Sequence, residues 1–528
     1  MRSAFTPLEY LRSLRVAVVA LGALAAACAA PEKFETATYD YKSANLLFSE
    51  ALNHLNDNYI DPIDLQRLSI AGLNGLRTYD PTIRALVGPG QGYVVYSGGA
   101  EPAKYAAPVD HDASGWASLL AEAVATARER SPSLKAQTPD DVYTAVMDGM
   151  TATLDGFSRY ESPKRAAESR ARRKGYGGIG VTIRDEEGET VIQEVIPDSP
   201  AGRANLQAKD IITHADGVPL RSLKKEDRAE RLRGPIGKTV DVSVWRQNVT
   251  PFTVRLERAE IIPTTVYFIN DQNLPRFRIS SFSRNTADAL SQAIADAERA
   301  TGGLPGIVLD LRGNPGGYLT QAVDVADLFM EGGVVVSTHG RHPSSSSSYR
   351  ARTGVVAQGK PLILLIDGGS ASASELLAAA LVDAGRAVAV GSVTYGKGSI
   401  QNLEALANGG ELIVTWSRMH APSGYLLDGL GVRPTVCTKP DDSNAEALIL
   451  ESRRHVQEAA SWRAYTAPNQ QSMGQLRAIC PKVDAGGDID IAVARQLLTD
   501  RKAYEATLTP AADNRNHALL QLRPPKNS

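Results

Sequence analysis

Cysteine is nearly absent: three residues in 528, at Cys28, Cys437 and Cys480. None has the CxxC spacing of a zinc site, so no metal is assigned. Aromatic residues are also scarce, at 6%, which argues against a platform for stacking nucleic-acid bases. The formal net charge is only −2, so nothing draws the chain to nucleic acid or to an anionic membrane surface. Long apolar runs are missing except for Val16 to Ala30, which is too short to span a bilayer comfortably. What is present, 43% hydrophobic and 22% charged residues, is the profile of a folded globular chain long enough for three or four domains.

Arg2, Arg12 and Arg15 precede that one apolar run, which closes in small residues before Pro31, Glu32 and Lys33. The pattern is that of a cleavable export signal over residues 1–30 rather than of a buried helix. It implies a periplasmic or cell-envelope location. Cys28 ends an Ala-Ala-Ala-Cys segment similar to the lipid-attachment site of bacterial lipoproteins, although Ala25 stands where those signals usually carry Leu. A membrane tether through a lipid on Cys28 and plain signal cleavage are both open. In an exported chain the remaining pair, Cys437 and Cys480, suggests a disulfide.

Periodicity divides the rest. Residues 31–173 read as helical, with amphipathic stretches at Ala44–Leu55, Ala117–Arg128 and Pro139–Leu154. Leu46, Leu47, Ala51 and Leu55 fall near one face of the first, and Thr138 is placed to cap the third. A Gly/Pro-rich excursion, Gly88–Val109, separates the first two. Residues 174–258 carry short β-type runs, at Ile179–Ile183, Val191–Val195, Ile211–Ala215 and Val240–Trp245, and form a small partly open β-domain. In residues 259–437, buried strands at Gly306–Leu311, Leu362–Asp367 and Ala387–Gly391 alternate with helices at Thr286–Ala300, Leu319–Phe329 and Ala373–Ala384. Continuous apolar strands between helices imply a largely parallel α/β core. The run Ser344–Ser348 reads as an exposed loop tip, and residues 438–528 as a helical extension with two helical patterns and no assigned function.

Three segments can carry chemistry. In Gly369–Leu377 (GSASASELL) a buried strand runs through small residues into a helix start, where backbone N–H groups and the helix dipole favour negative charge. A serine there is by itself usually only a cap. In Thr394–Gln401 (TYGKGSIQ) a lysine sits between two glycines after an apolar strand. A lysine turned inward loses solvation, its pKa falls, and it can serve as a base for serine without histidine. In Asp310–Gly317 (DLRGNPGG) a glycine-rich turn at a strand end offers backbone N–H groups to a developing oxyanion. Each has a plain structural reading when taken alone.

Together these segments, with the GIGV loop at 178–181, DAGRAVAVG at 383–391 and APSGYLLDGLGVRP at 421–434, resemble the C-terminal processing peptidases, or tail-specific proteases, from about Ala44 to Val436. The resemblance implies a multidomain α/β architecture: a helical N-terminal region, a PDZ domain, a Ser–Lys peptidase core of the ClpP/crotonase-type spiral fold and a helical C-terminal tail. It implies that Ser372 is the nucleophile, Lys397 the general base and Gln401 the residue that positions the lysine. Asp383 is assigned a supporting role. The oxyanion hole would be the N–H of Ala373 with one from Gly316 or Gly317. Gly178, Ile179, Gly180 and Val181 would bind a peptide carboxylate, the peptide adding a strand to the sheet. Arg233 would couple that domain to the active site. Expected partners are protein substrates with apolar C-termini, an adaptor or activator protein and further copies of the chain as a homo-oligomer. No cofactor is expected. The family usually has a Leu-Asp-Pro-His-Ser-type segment where this chain has Leu154–Tyr160 (LDGFSRY), a departure expected to bear on partner binding and oligomerisation rather than on catalysis. The rival readings are a non-catalytic scaffold that only binds protein C-termini, a Ser–His–Asp hydrolase and a crotonase-like acyl-CoA enzyme. The retained serine, lysine and glycines, the absence of a matching histidine motif and the inserted β-domain weigh against these in turn.

Overall fold

The computed structural model describes residues 39–511, apart from 89–92, 97–98, 272–273, 353–355, 455, 467–468 and 485. The export signal and Cys28 lie outside the described residues. The three amphipathic stretches of the N-terminal region form helices over Tyr41–Asn58, Ala113–Arg130 and Pro139–Thr151, with Leu65–Gly75, the short Pro132–Lys135 and Pro163–Lys174 helical besides. Thr138 and Asp141 bond reciprocally across the start of the third, each side chain accepting from the other's backbone N–H. That exchange satisfies donors which a helix start otherwise leaves unpaired. In the first helix Leu47, Phe48, Ala51, Leu52 and Leu55 are buried, whereas Leu46, expected on that face, is 51% exposed. The buried stripe is centred on Phe48 and Leu52, a turn apart, and Leu46 points away from it. Two strands of the Gly/Pro-rich excursion, Tyr93–Tyr96 and Ala103–Tyr105, form a small antiparallel sheet with Arg84–Val87 just before it.

The β-domain is an antiparallel sheet whose edge strand, Val181–Glu186, faces the helix Lys225–Leu232 across a groove. A two-stranded ribbon, Tyr176–Gly178 against Ala259–Ile261, is the stem by which the chain enters and leaves it.

Two sheets build the core. The first is parallel through Leu274–Ile279, Ile307–Asp310, Leu362–Ile366, Val388–Gly391 and Val436–Cys437, with Val266–Asp271 antiparallel at one edge. Its residues alternate between two apolar clusters. Leu309, Leu364 and Ile366 pack with the helices Thr286–Thr301, Leu319–Asp327 and Ala373–Asp383. Val308, Ile363, Leu365, Val388 and Val390 pack with Ile489, Val493, Ala494 and Leu497 of the C-terminal extension. A parallel sheet needs cover on both faces, and the extension supplies the second. It holds five helices among the described residues, Ala445–Ser452, Val456–Arg463, Gln470–Ile479, Asp488–Thr499 and Arg501–Thr507, rather than the two patterns read from sequence. The second core sheet, which the sequence reading did not anticipate, is antiparallel and made of Gly333–His339, Ser347–Ala351, Ser399–Ala405 and Glu411–His420. The strand Arg159–Glu161 of the N-terminal region joins it.

Leu497 has no exposed surface and belongs to the cluster under the parallel sheet. Leu497→Ala should destabilise the core by about 2–5 kcal/mol, read as a lower urea midpoint at unchanged slope. An unchanged midpoint would mean that the extension is not part of the core.

Candidate active site

The strand Leu362–Ile366 ends at Asp367, whose carboxylate accepts from the N–H groups of Gly313, Gly369 and Ser370 and folds the chain sharply into the helix Ala373–Asp383. Three serines occupy this turn, and their surroundings separate them. Ser370 and Ser374 are fully buried and donate to the carbonyls of Leu311 at 2.8 Å and Asn314 at 3.0 Å. Both hydroxyls therefore fasten the DLRGNPGG turn to the helix start. Ser372 alone of the three lines an open cleft of about 490 Å³. Its φ of 57° lies in the left-handed region that residues with a Cβ avoid, a local strain of a kind that collects at functional sites.

Lys397 lines the same cleft. Its turn can pack only because Gly398 has no side chain: a Cβ there would lie 2.0 Å from the backbone nitrogen of Asp428. The lysine Nζ sits 5.0 Å from the centre of the Phe157 ring. Burial, and then the guanidinium of Arg159, hold its pKa below the ordinary lysine value, with Asp155 and Glu375 opposing. No hydrogen bond joins Lys397 Nζ to Ser372 Oγ in this structure. Both line the same cleft.

Glu375 joins their backbones. Its side chain has no exposed surface. One carboxylate oxygen accepts from the N–H of Ser372 at 2.7 Å and of Lys397 at 2.8 Å. The other accepts from Thr394 Oγ1 at 2.5 Å and the Gly396 N–H at 2.6 Å. Burial raises its pKa, and these four bonds oppose that rise. Sequence reasoning quoted this glutamate within its motif and gave it no role. A carboxylate three residues after the serine that caps the helix was the available signal.

Among the described residues the N–H groups of Ala373 and Gly317 find no acceptor, whereas that of Gly316 donates to Asn314 Oδ1 at 2.8 Å. Gly316 matters for space instead: a Cβ there would meet Ser372 Cβ at 2.8 Å. Gln401 lines the cleft, but its amide donates to Ser399 Oγ at 2.9 Å and Thr415 Oγ1 at 3.3 Å rather than bonding to the lysine. Asp383, at the far end of the helix, accepts from Ser423 and pairs with Arg463 at 3.0 Å, which ties the 421–434 loop and the extension to the core. In the β-domain, Gly178 to Val181 line a groove of about 260 Å³ together with Leu232 and Arg233. A Cβ on Gly180 would lie 2.1 Å from Ser199 Cβ, so the loop requires glycine there. The Arg233 guanidinium lies over the Tyr176 ring at 4.5 Å, at the join of groove and stem. Cys437 and Cys480 are disulfide-bonded with their Cα atoms 5.9 Å apart.

One expectation is corrected. Leu154–Tyr160 is expected to bear on partners rather than catalysis, yet Phe157 and Arg159 reach Lys397, because the strand Arg159–Glu161 pairs with Glu411–Ile413 beside the cleft. Of the run Ser344–Ser348, expected to be an exposed loop tip, four serines are exposed and Ser345 alone is buried, but Ser344, Ser345 and Ser347 also line the cleft, and the carbonyl of Ser345 accepts from Thr338 Oγ1 at 2.9 Å.

A strained serine and a desolvated lysine thus line one cleft, and a separate groove runs beside a sheet edge. Comparison with known proteins gives the class. The model of peptidase family S41 matches residues 276–438 and that of the PDZ domain residues 177–255. The carboxy-terminal-processing protease of Bartonella bacilliformis is 34% identical over 304 residues, 56% of this chain and 70% of that protein. The carboxyl-terminal-processing protease of Synechocystis sp. is 33% identical over 305 residues, 56% of this chain and 70% of that protein. Among solved structures, a photosystem II D1 C-terminal processing protease aligns with a TM-score of 0.39 and 25% identity over 76% of this chain and 94% of that chain. The chain belongs to peptidase family S41, the carboxy-terminal-processing serine proteases.

Glu375→Gln replaces one acceptor oxygen with a donor, and either orientation sets an NH2 group against two donors that now bond to the carboxylate. Turnover should fall by about 100-fold, the scale of an ångström-size misplacement, while peptide binding to the PDZ domain stays unchanged; wild-type turnover would remove the glutamate from the site's framework. Arg159→Gln removes a positive charge beside Lys397, so the lysine pKa should rise. For a reaction in which neutral Lys397 is the base, the ascending limb of the pH–rate profile should then move to the alkaline side. A limb that stays put would show that Arg159 does not act on the lysine.

Proposed function

We propose that this chain is an exported serine endopeptidase in which Ser372 attacks a peptide carbonyl and neutral Lys397 takes its proton. The observation that carries the proposal is the contrast among three neighbouring serines: two hydroxyls are committed to backbone carbonyls, and the third opens on the cleft that holds a desolvated lysine. In this mechanism an acyl-enzyme forms, Lys397 protonates the leaving amine, and water then releases the second product. Ala373 and Gly317 supply N–H groups to the oxyanion, since that of Gly316 is already bonded to Asn314. Substrate approach brings Ser372 Oγ and Lys397 Nζ into hydrogen-bond reach, a closure common when catalytic contacts are long in the free enzyme. Gln401 orients the lysine in that closed state.

The substrates in this reading are exported proteins with apolar C-termini. A tail enters as an added strand beside Val181–Glu186, its carboxylate held by the N–H groups of the 178–181 loop. Among the described residues neither the Ile179 N–H nor the Gly180 N–H finds an acceptor, which supports that use. Arg233, between groove and stem, transmits occupancy to the core. Location in the periplasm or cell envelope rests on residues 1–30, with a lipid on Cys28 as the alternative to plain cleavage. An adaptor and self-association are carried over from the resemblance.

The test is degradation of an unstructured reporter with an apolar tail by the signal-less chain, Ser372→Ala and Lys397→Ala. The parent should cleave, and both variants should lose activity by about 1,000-fold or more while still binding the tail. Cleavage that survives either substitution overturns the pair.

A further inference from the structure

The C-terminal extension lies beyond residues 276–438 matched by the peptidase model, yet it bonds to the backbone around both proposed catalytic turns. Arg477, on the helix Gln470–Ile479, donates from Nη1 to the carbonyl of Leu430 at 2.6 Å and of Gly429 at 3.3 Å, and from Nη2 to that of Thr394 at 3.0 Å. Thr394 opens the lysine turn, and the Gly429 N–H donates to the carbonyl of Gly396 at 2.8 Å. A Cβ on Gly396 or on Gly431 would come within 3.2 Å of Arg477 Nη1, so the guanidinium fills the junction between the turn and the 421–434 loop. A planar fork of donors can hold several carbonyls at once, which an ammonium cannot.

The same segment then reaches the serine side. Cys480, three residues after Arg477, is bonded to Cys437 on the strand next to Val388–Gly391. Beyond it, the carbonyl of Val483 accepts from the Gly368 N–H at 2.6 Å, and the Val483 N–H donates to Ser392 Oγ at 3.1 Å. Gly368 stands four residues before Ser372. The charge of Arg477 is answered by carbonyls and by the field of the buried Glu375, with no carboxylate in ion-pair contact among the described residues. A surface arginine that merely solubilises a helix would not be so placed.

We propose that Arg477 is a positioning residue of the peptidase, which holds the Thr394–Lys397 turn against the Glu375 carboxylate, and that the Cys437–Cys480 disulfide fixes the helix that carries it. The proposal rests on the Ser372–Lys397 reading. It gives the extension a part in the reaction beyond covering the sheet.

The experiment measures single-turnover cleavage of a fluorogenic peptide with an apolar tail against pH, for the parent, Ser372→Ala, Arg477→Ala, Arg477→Lys, Cys480→Ser and the Arg477→Ala/Cys480→Ser double variant. Affinity of the PDZ groove for the same tail reports folding. Arg477→Ala should slow cleavage by about 10- to 100-fold at unchanged tail affinity, with the ascending limb displaced to higher pH. A loosened turn returns Lys397 to water, while Arg159, Asp155 and Glu375, the charged groups facing it, are unaltered. Arg477→Lys should fall between, and it decides by the same readings if Arg477→Ala does not fold. Cys480→Ser should act in the same direction, and the double variant should be little worse than Arg477→Ala, since coupled sites are not additive. Unchanged rate and pH profile in the Arg477 variants overturn the proposal and leave the Ser–Lys reading standing. Additive losses overturn the disulfide's part in it. Cleavage retained by Ser372→Ala overturns the reading itself.

Discussion

A carboxylate removed from water costs several kcal/mol unless donors surround it, and Glu375 is surrounded by four: the backbone N–H groups of Ser372, Gly396 and Lys397 and the hydroxyl of Thr394. Two segments more than twenty residues apart in the chain thus share one buried carboxyl group. If either moves, part of the carboxylate loses its partners, so the serine turn and the lysine turn are held as a unit. The left-handed backbone at Ser372 can persist only under such constraint, because its neighbours leave no cheaper conformation. The desolvated state of Lys397 has the same origin, since its turn cannot swing the side chain out to solvent without giving up Glu375.

The sheet decides where this unit sits. Ile307–Asp310, Leu362–Ile366 and Val388–Gly391 lie side by side and parallel, so the glycine-rich turn, the serine turn and the lysine segment all emerge from the same end. Function gathers at the C-terminal ends of parallel strands for this reason. Parallel strands must be covered on both faces, and the extension that covers the second face also reaches the site. Through Asp490 it bonds Arg312, whose guanidinium is held by Asp310 in the DLRGNPGG turn. Core packing and site geometry are therefore not separable at this edge.

Much of this was legible in the residues. Continuous apolar strands such as Leu362–Ile366 announce a buried parallel sheet, and glycines flanking a lysine announce a turn that no ordinary loop requires. Local pattern could not reveal which oxygen each donor finds. Glu375 looked like any first-turn glutamate, and its four partners come from two segments brought together only by folding. The antiparallel sheet is not visible in local pattern because Gly333–His339 is apolar without alternation, and because Ser399–Ala405 follows directly on the lysine turn and overlaps its motif. The serine run looked solvated by composition, yet strand pairing of Ser347–Ala351 turns it into a wall of the cleft. Leu154–Tyr160 belonged to a helical region by position, and one strand pairing carried it to the lysine.

The claim at the centre is that one buried carboxylate holds both turns, and residue-resolved amide hydrogen exchange on the intact folded protein tests it most directly. The account predicts that the N–H groups of Ser372, Gly396 and Lys397 exchange slowly and together, protected to the level of the neighbouring strand Leu362–Ile366, because each is released only when the unit opens. Exchange of any one of them at the rate of a free loop, while that strand stays protected, would contradict it.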